Sequence, residues 1–171
     1  MRSRFDRRGF LGLAASMLLS ASGEAAAVTI VALGASNTYG RGVERAQAYP
    51  AQLEALLRAR GHVVQVINAG VNGDTTGRML DRIDAVVPSG TGLVILQPGG
   101  NDRRKGEGAT SAGNIATIEA KLRARGIRVI MLPNGMFRRL PHQADGQHLT
   151  PEGYRMLAEA VLPQVTAALG R

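Results

Sequence analysis

The chain has 171 residues, 44 % of them hydrophobic, a formal net charge of +8 and no cysteine. That length reads as one domain able to bury a core without staples, and the composition is globular and not disordered. The missing thiol excludes disulfides, thiolate chemistry, cysteine zinc sites and lipid attachment through a lipobox cysteine. Arginines scattered along the chain, with only 4 % aromatics, argue against a nucleic-acid partner.

Residues 1–27 read as an export signal and residues 28–171 as the folded domain. Arg2, Arg4, Arg7 and Arg8 form a basic start, Gly9 to Ser22 is an apolar stretch, and Ala25-Ala26-Ala27 offers a small-residue cleavage site. The paired arginines of DRRGFLG resemble a twin-arginine signal. An uncleaved anchor fits less well, because Gly and Ser interrupt the apolar stretch and an AxA site follows. The expectation is cleavage near Ala27, a periplasmic or secreted protein, and no transmembrane segment in the mature chain. The mature domain keeps a net charge of +6, since four Arg, Asp6 and Glu24 leave with the signal.

Four short apolar runs then alternate with segments of helical period. VTIVAL (28–33) is the first strand. AYPAQLEALLRARG (48–61) is a helix with Leu53, Leu56 and Leu57 on one face and Gly61 as its left-handed stop. VVQVI (63–67) carries a polar Gln, which suits an edge strand. TTGRMLDRIDAVV (75–87) is the second helix, LVIL (93–96) the third strand and NIATIEAKLRARG (114–126) the third helix, with Ser111 before it as cap. IRVIML (127–132) is the fourth strand. TPEGYRMLAEAVLPQVTAAL (150–169) opens with Thr150 as N-cap and Pro151 at the first helical position, and Pro163 is expected to kink or split it. This alternation predicts an α/β fold: a three-layer α/β/α sandwich on a flavodoxin-like parallel sheet of order 2-1-3-4.

In such sheets the active crevice lies at the carboxyl ends of the strands, beside the switch in strand order. There the chain places Gly34-Ala35-Ser36-Asn37 after strand 1 and Asn72-Gly73-Asp74-Thr75 after strand 2. Gly99-Gly100-Asn101-Asp102 follows strand 3, and Asp145-Gly146-Gln147-His148 precedes the last helix. Acyl transfer needs these parts. A serine hydroxyl needs a base, His148 can serve, and Asp145 can hold its ring in one tautomer. Backbone N–H groups of Ser36 and Gly73 with the Asn101 amide can receive an oxyanion.

Each residue also has a plainer reading. Ser36 can be a turn or cap residue, but Ser89 and Ser111 lie away from the strand ends. Asn101 and Gly73 can be turn formers, and Asp74 and Asp102 read as structural, capping the second helix or bracing a loop. His142 rivals His148, being equally distant from Asp145, while His62 reads as a surface residue. Arg103, Arg104 and Lys105 read as a solvated charged loop, or else as a preference for substrates with a carboxylate or phosphate near the ester.

Taken in order, GASN (34–37), NGDTT (72–76), GGND (99–102) and DGQH (145–148) resemble the four blocks of the SGNH (GDSL-type) hydrolases. The likeness covers essentially the whole mature chain and is greatest to the bacterial arylesterase, lysophospholipase and thioesterase I group. It implies Ser36 as nucleophile, Ser36, Gly73 and Asn101 in the oxyanion hole, and Asp145 with His148 completing a triad. It also implies a small-molecule or lipid ester substrate and no metal or cofactor. Two departures carry expectations. Ala35 stands where the family places Asp, so the turn at Ser36 should be held less firmly. Only 44 positions separate Asn101 from Asp145, which leaves no room for a fifth strand and predicts a more open pocket and a weakly supported Asp/His loop. An inactive binding protein on the same scaffold and a carbohydrate O-deacetylase are the alternatives. A nucleotide binder lacks its phosphate loop.

Overall fold

The runs VTIVALG and TGLVILQ form β1 (Val28–Gly34) and β3 (Thr91–Gln97), each buried along its last five residues. The computed structural model describes residues 26–170, so the export signal read over residues 1–27 lies outside them except for Ala26 and Ala27. β2 (Val64–Gly70) and β4 (Arg128–Met131) complete a parallel sheet in the order β2-β1-β3-β4. Gln65 is exposed on β2, as an edge strand allows.

Successive strand side chains point to opposite faces. Ile30, Ala32, Leu93 and Ile95 therefore enter one core with Leu53 of α2 (Tyr49–Arg58) and Leu157 of α6 (Pro151–Leu169). Val31, Leu33, Val94 and Leu96 enter the other with Ile83 of α3 (Thr76–Val86) and Ile118 of α5 (Gly108–Ala124). Each fully buried Val, Leu or Ile side chain among these contributes roughly 1.5–3 kcal/mol. Burial on both faces makes the fold the expected three-layer sandwich.

Gly61 follows α2 at φ 83°, and the His62 N–H returns to the Leu57 carbonyl, so this stop is as read. Thr150 Oγ1 accepts the Gly153 N–H at 3.1 Å, with Pro151 at the first helical position. Two helix readings are corrected. Pro163 does not split α6, which runs unbroken to Leu169. Pro163 lies on the exposed face, while the buried Leu157, Val161 and Val165 hold both halves in the core. α5 begins at Gly108 and not at 114, so Ser111 lies within the helix and is not its cap. Its first turns are small and mostly exposed, and so carry no apolar period to read.

After β4 the chain makes a 3₁₀ segment (Asn134–Arg139) and enters the loop holding Asp145, and the described sheet has no fifth strand. The chain winds from β1 to β2 on one side and returns to β3 on the other. The loops after β1 and β3 thus part at the switch point, which opens the crevice there. No described helix is long and apolar enough to cross a membrane.

Candidate active site

At the end of β1 the chain turns into the four-residue helix α1 (Ser36–Tyr39). The turn is tight because two glycines leave room for it. A Cβ on Gly34 would lie 2.2 Å from Thr38 Oγ1, and one on Gly70 would lie 2.1 Å from the Tyr39 backbone N. The Thr38 hydroxyl, seated over Gly34, donates to Gln97 Oε1 at 3.1 Å. The Ala35 N–H donates to the same oxygen at 3.2 Å. Gln97 is buried at the end of β3. It therefore grips the backbone before Ser36 and the side chain two residues after it. The expectation that Ala35 leaves this turn loose is overturned: the Ala35 side chain packs in the core, and Gln97 holds the turn through backbone and hydroxyl.

Ser36 Oγ lies 2.9 Å from His148 Nε2, and His148 Nδ1 lies 2.5 Å from Asp145 Oδ2. Ser36 and His148 are buried, while the Asp145 side chain is 43 % exposed. The hydrogen bond from the His148 ring, joined by the backbone N–H groups of His148 and Gln147, holds the Asp145 carboxyl well below the usual carboxylate range. An ionised carboxylate only accepts, so Nδ1 carries the proton and Nε2 is left to accept from the serine hydroxyl. His142 lines the same cleft, but it lies opposite Leu149 in a backbone bridge closed by its neighbours Pro141 and Gln143, and it has no hydrogen bond to Ser36 or Asp145 among the described residues.

The three expected oxyanion donors are differently placed. Ser36 and Asn101 line the cleft, while Gly73, at φ 74°, is not among its described lining residues. Among the described residues neither the Ser36 nor the Gly73 N–H is used within the protein. Asn101 Nδ2 donates to Asp74 O at 2.7 Å and keeps a second hydrogen, while Arg104 donates to Asn101 Oδ1 at 2.6 Å and fixes which way the amide faces. Lys105 Nζ donates to Gly73 O at 2.7 Å. The charged run 103–105 is thus not merely solvated: Arg104 and Lys105 brace Asn101 and Gly73 from α4 (Asn101–Arg104) and its end.

Asp74 and Asp102 have structural partners, as read. Asp102 accepts the Thr76 N–H at 3.0 Å, and the Thr76 hydroxyl as well, at the start of α3. Asp74 pairs with Arg82 at 2.8 Å, and Arg82 also donates to the carbonyls of Ala69 and Gly34 at the ends of β2 and β1.

The Asp/His loop is not weakly supported, contrary to expectation. Gln143 Nε2 donates to Arg41 O at 2.8 Å and Leu149 O at 2.7 Å, and its N–H bonds His148 O. Asn37 Nδ2 donates to Gln147 O at 3.1 Å, and the Tyr154 hydroxyl donates to Asn37 Oδ1 at 3.1 Å. These side-chain bonds do the bracing that another strand would do. Sequence reading missed Gln97, Arg82 and Gln143, because isolated polar residues far apart in the chain carry no periodic or motif signal.

The sandwich, with a serine, a histidine and an aspartate joined at its strand ends, defines the SGNH-hydrolase class of α/β proteins. The chain belongs to the GDSL-like Lipase/Acylhydrolase family, whose sequence profile matches residues 32–161. It is 33 % identical over 111 residues to esterase TesA of Pseudomonas aeruginosa, covering 64 % of this chain and 55 % of that one. It is 30 % identical over 124 residues to an arylesterase of Vibrio mimicus, covering 71 % and 62 %. The match thus spans little more than half of these curated relatives. The crystal structure of TesA superposes with a TM-score of 0.73 at 25 % identity, covering 82 % of this chain and 99 % of that one.

Proposed function

We propose that the protein is an exported serine esterase that hydrolyses carboxylic esters through an acyl-enzyme. The observation that carries this reading is the unbroken hydrogen-bonded series from Ser36 Oγ through His148 to Asp145. Ser36 Oγ bonds to the ester carbonyl carbon as its proton passes to His148 Nε2. The resulting oxyanion accepts from the Ser36 and Gly73 N–H groups and the second Asn101 amide hydrogen. Collapse breaks the bond to the alcohol oxygen, which takes the proton from His148. Water then attacks the acyl-serine, passes its proton to His148, and releases the acid as the proton returns to Ser36. Asp145 stays ionised throughout and steadies the imidazolium. A cleft of about 230 Å³ beside Ser36 favours small esters.

Hydrolysis of short-chain p-nitrophenyl and naphthyl esters tests the proposal. We expect the protein to turn them over and to react with a fluorophosphonate probe, and Ser36→Ala to do neither. Equal rates for the two proteins end it. Export rests on Arg7-Arg8 and the Ala25–Ala27 site: replacing both arginines by lysine should keep the protein in the cytoplasmic fraction.

A further inference from the structure

Three arginines face the cleft of Ser36 from two separate parts of the chain. Arg103 and Arg104 lie on α4, directly after Asn101. Arg138 comes from the 3₁₀ segment that follows β4. Asn134, in that same segment, donates to Gly99 O at 2.9 Å and so fastens it to the loop after β3. The segment bearing Arg138 is therefore fastened to the loop that leads into α4.

Among the described residues no Asp or Glu lines this cleft. The carboxylates near it already have partners: Asp74 has Arg82, Asp102 has Thr76, and Asp145 has His148. Among the described residues none of the three guanidiniums pairs with a carboxylate. Arg104 alone has a side-chain bond, to Asn101 Oδ1. Like charges gathered without counter-charge repel one another, and an anion in the cleft relieves that repulsion. A guanidinium fork matches carboxylate and phosphate oxygens in geometry as well as charge.

We infer that the cleft selects esters bearing a negative charge, a carboxylate or a phosphate, beside the scissile bond. This rests on the esterase reading of the same cleft. Arg103 and Arg138 hold the anion, while Arg104 is partly committed to orienting Asn101.

The test pairs anionic esters with neutral ones on the purified protein. The p-nitrophenyl monoester of glutaric acid is compared with p-nitrophenyl valerate. Then 3-carboxyphenyl acetate and 3-acetoxyphenyl phosphate are each compared with phenyl acetate, which separates carboxylate from phosphate. At low salt kcat/KM for at least one anionic ester exceeds its neutral partner about tenfold, and the ratio falls toward one as salt shortens the Debye length. Arg103→Gln and Arg138→Gln each lower the ratio several-fold. Arg128→Gln, on β4 away from the cleft, leaves it in place. A ratio at or below one for every pair, or one indifferent to both cleft substitutions, overturns the inference. Calorimetric titration with phenylphosphonate needs no turnover: binding several-fold weaker in Arg138→Gln supports the anion site even if no ester is hydrolysed, and equal or absent binding counts against it. Failure of hydrolysis alone therefore falls on the esterase reading.

Discussion

His148 Nδ1 lies 2.5 Å from Asp145 Oδ2, while Oδ1 of the same carboxylate accepts the backbone N–H groups of Gln147 and His148, each at 2.9 Å. One side chain thus shapes the loop and sets the imidazole tautomer. Asp145→Asn separates these tasks. The amide oxygen still accepts both backbone bonds, but the NH₂ group cannot accept from Nδ1–H, and the ring turns to the tautomer that cannot take the Ser36 proton. We expect kcat for an aryl ester to fall by roughly 10³–10⁴-fold, with the melting temperature changed by only a few degrees. Steady-state kinetics beside a thermal melt check this; unchanged kcat would remove Asp145 from the proton relay.

The same carboxylate leaves a signature in acid. Its folded pKa is depressed, first by the His148 hydrogen bond. The unfolded chain therefore takes up the proton first, and the stability Asp145 contributes is complete above about pH 4, where the unfolded group ionises. That contribution is lost as pH falls through the lower folded value. The difference in urea midpoint between the protein and Asp145→Asn should accordingly be constant from pH 7 to about pH 5 and shrink on further acidification. A difference that widens in acid would contradict the sign.

Gln97 accepts from Ala35 N–H and Thr38 Oγ1 in a buried position. Gln97→Leu leaves two buried donors without an acceptor, at about 1–3 kcal/mol for each. Slackening the turn displaces Ser36, and a shift near 1 Å costs on the order of 10²-fold in rate. The fluorophosphonate labelling rate, measured well below the melting temperature, should fall together with kcat. A variant that is destabilised but labels at full rate would show that Gln97 supports the fold alone.

Gly70 is required by proximity, since a Cβ there would meet the Tyr39 backbone N at 2.1 Å. Backbone cannot step aside as a flexible side chain can. Gly70→Ala should lower stability by about 1–3 kcal/mol or more and reduce activity by moving α1. Chemical denaturation reads the first effect and ester hydrolysis the second.

The sheet and its order were legible because apolar runs and helical periods are local signals, each set by residues within a few positions. Ser36, Asn101, Asp145 and His148 were legible too, because strand ends and a helix cap place them before any contact is known. The start of α5 was not, because its first turns are largely solvated and leave no apolar stripe. Nor was the unbroken course of α6, since whether Pro163 divides it depends on which face meets water.

By itself the sequence determined the α/β layering, the strand-end or pre-helix position of each chemistry-bearing residue and the absence of any thiol. Only the tertiary structure decided that Gln97 would secure the serine turn in place of an acidic neighbour, that Gln143 and Asn37 would brace the loop of His148, and that Arg138 would join Arg103 in lining one cleft. The reason is range. Backbone preference and apolar periodicity act between near neighbours, whereas a hydrogen bond from β3 to a residue 62 positions away exists only once the strands have paired.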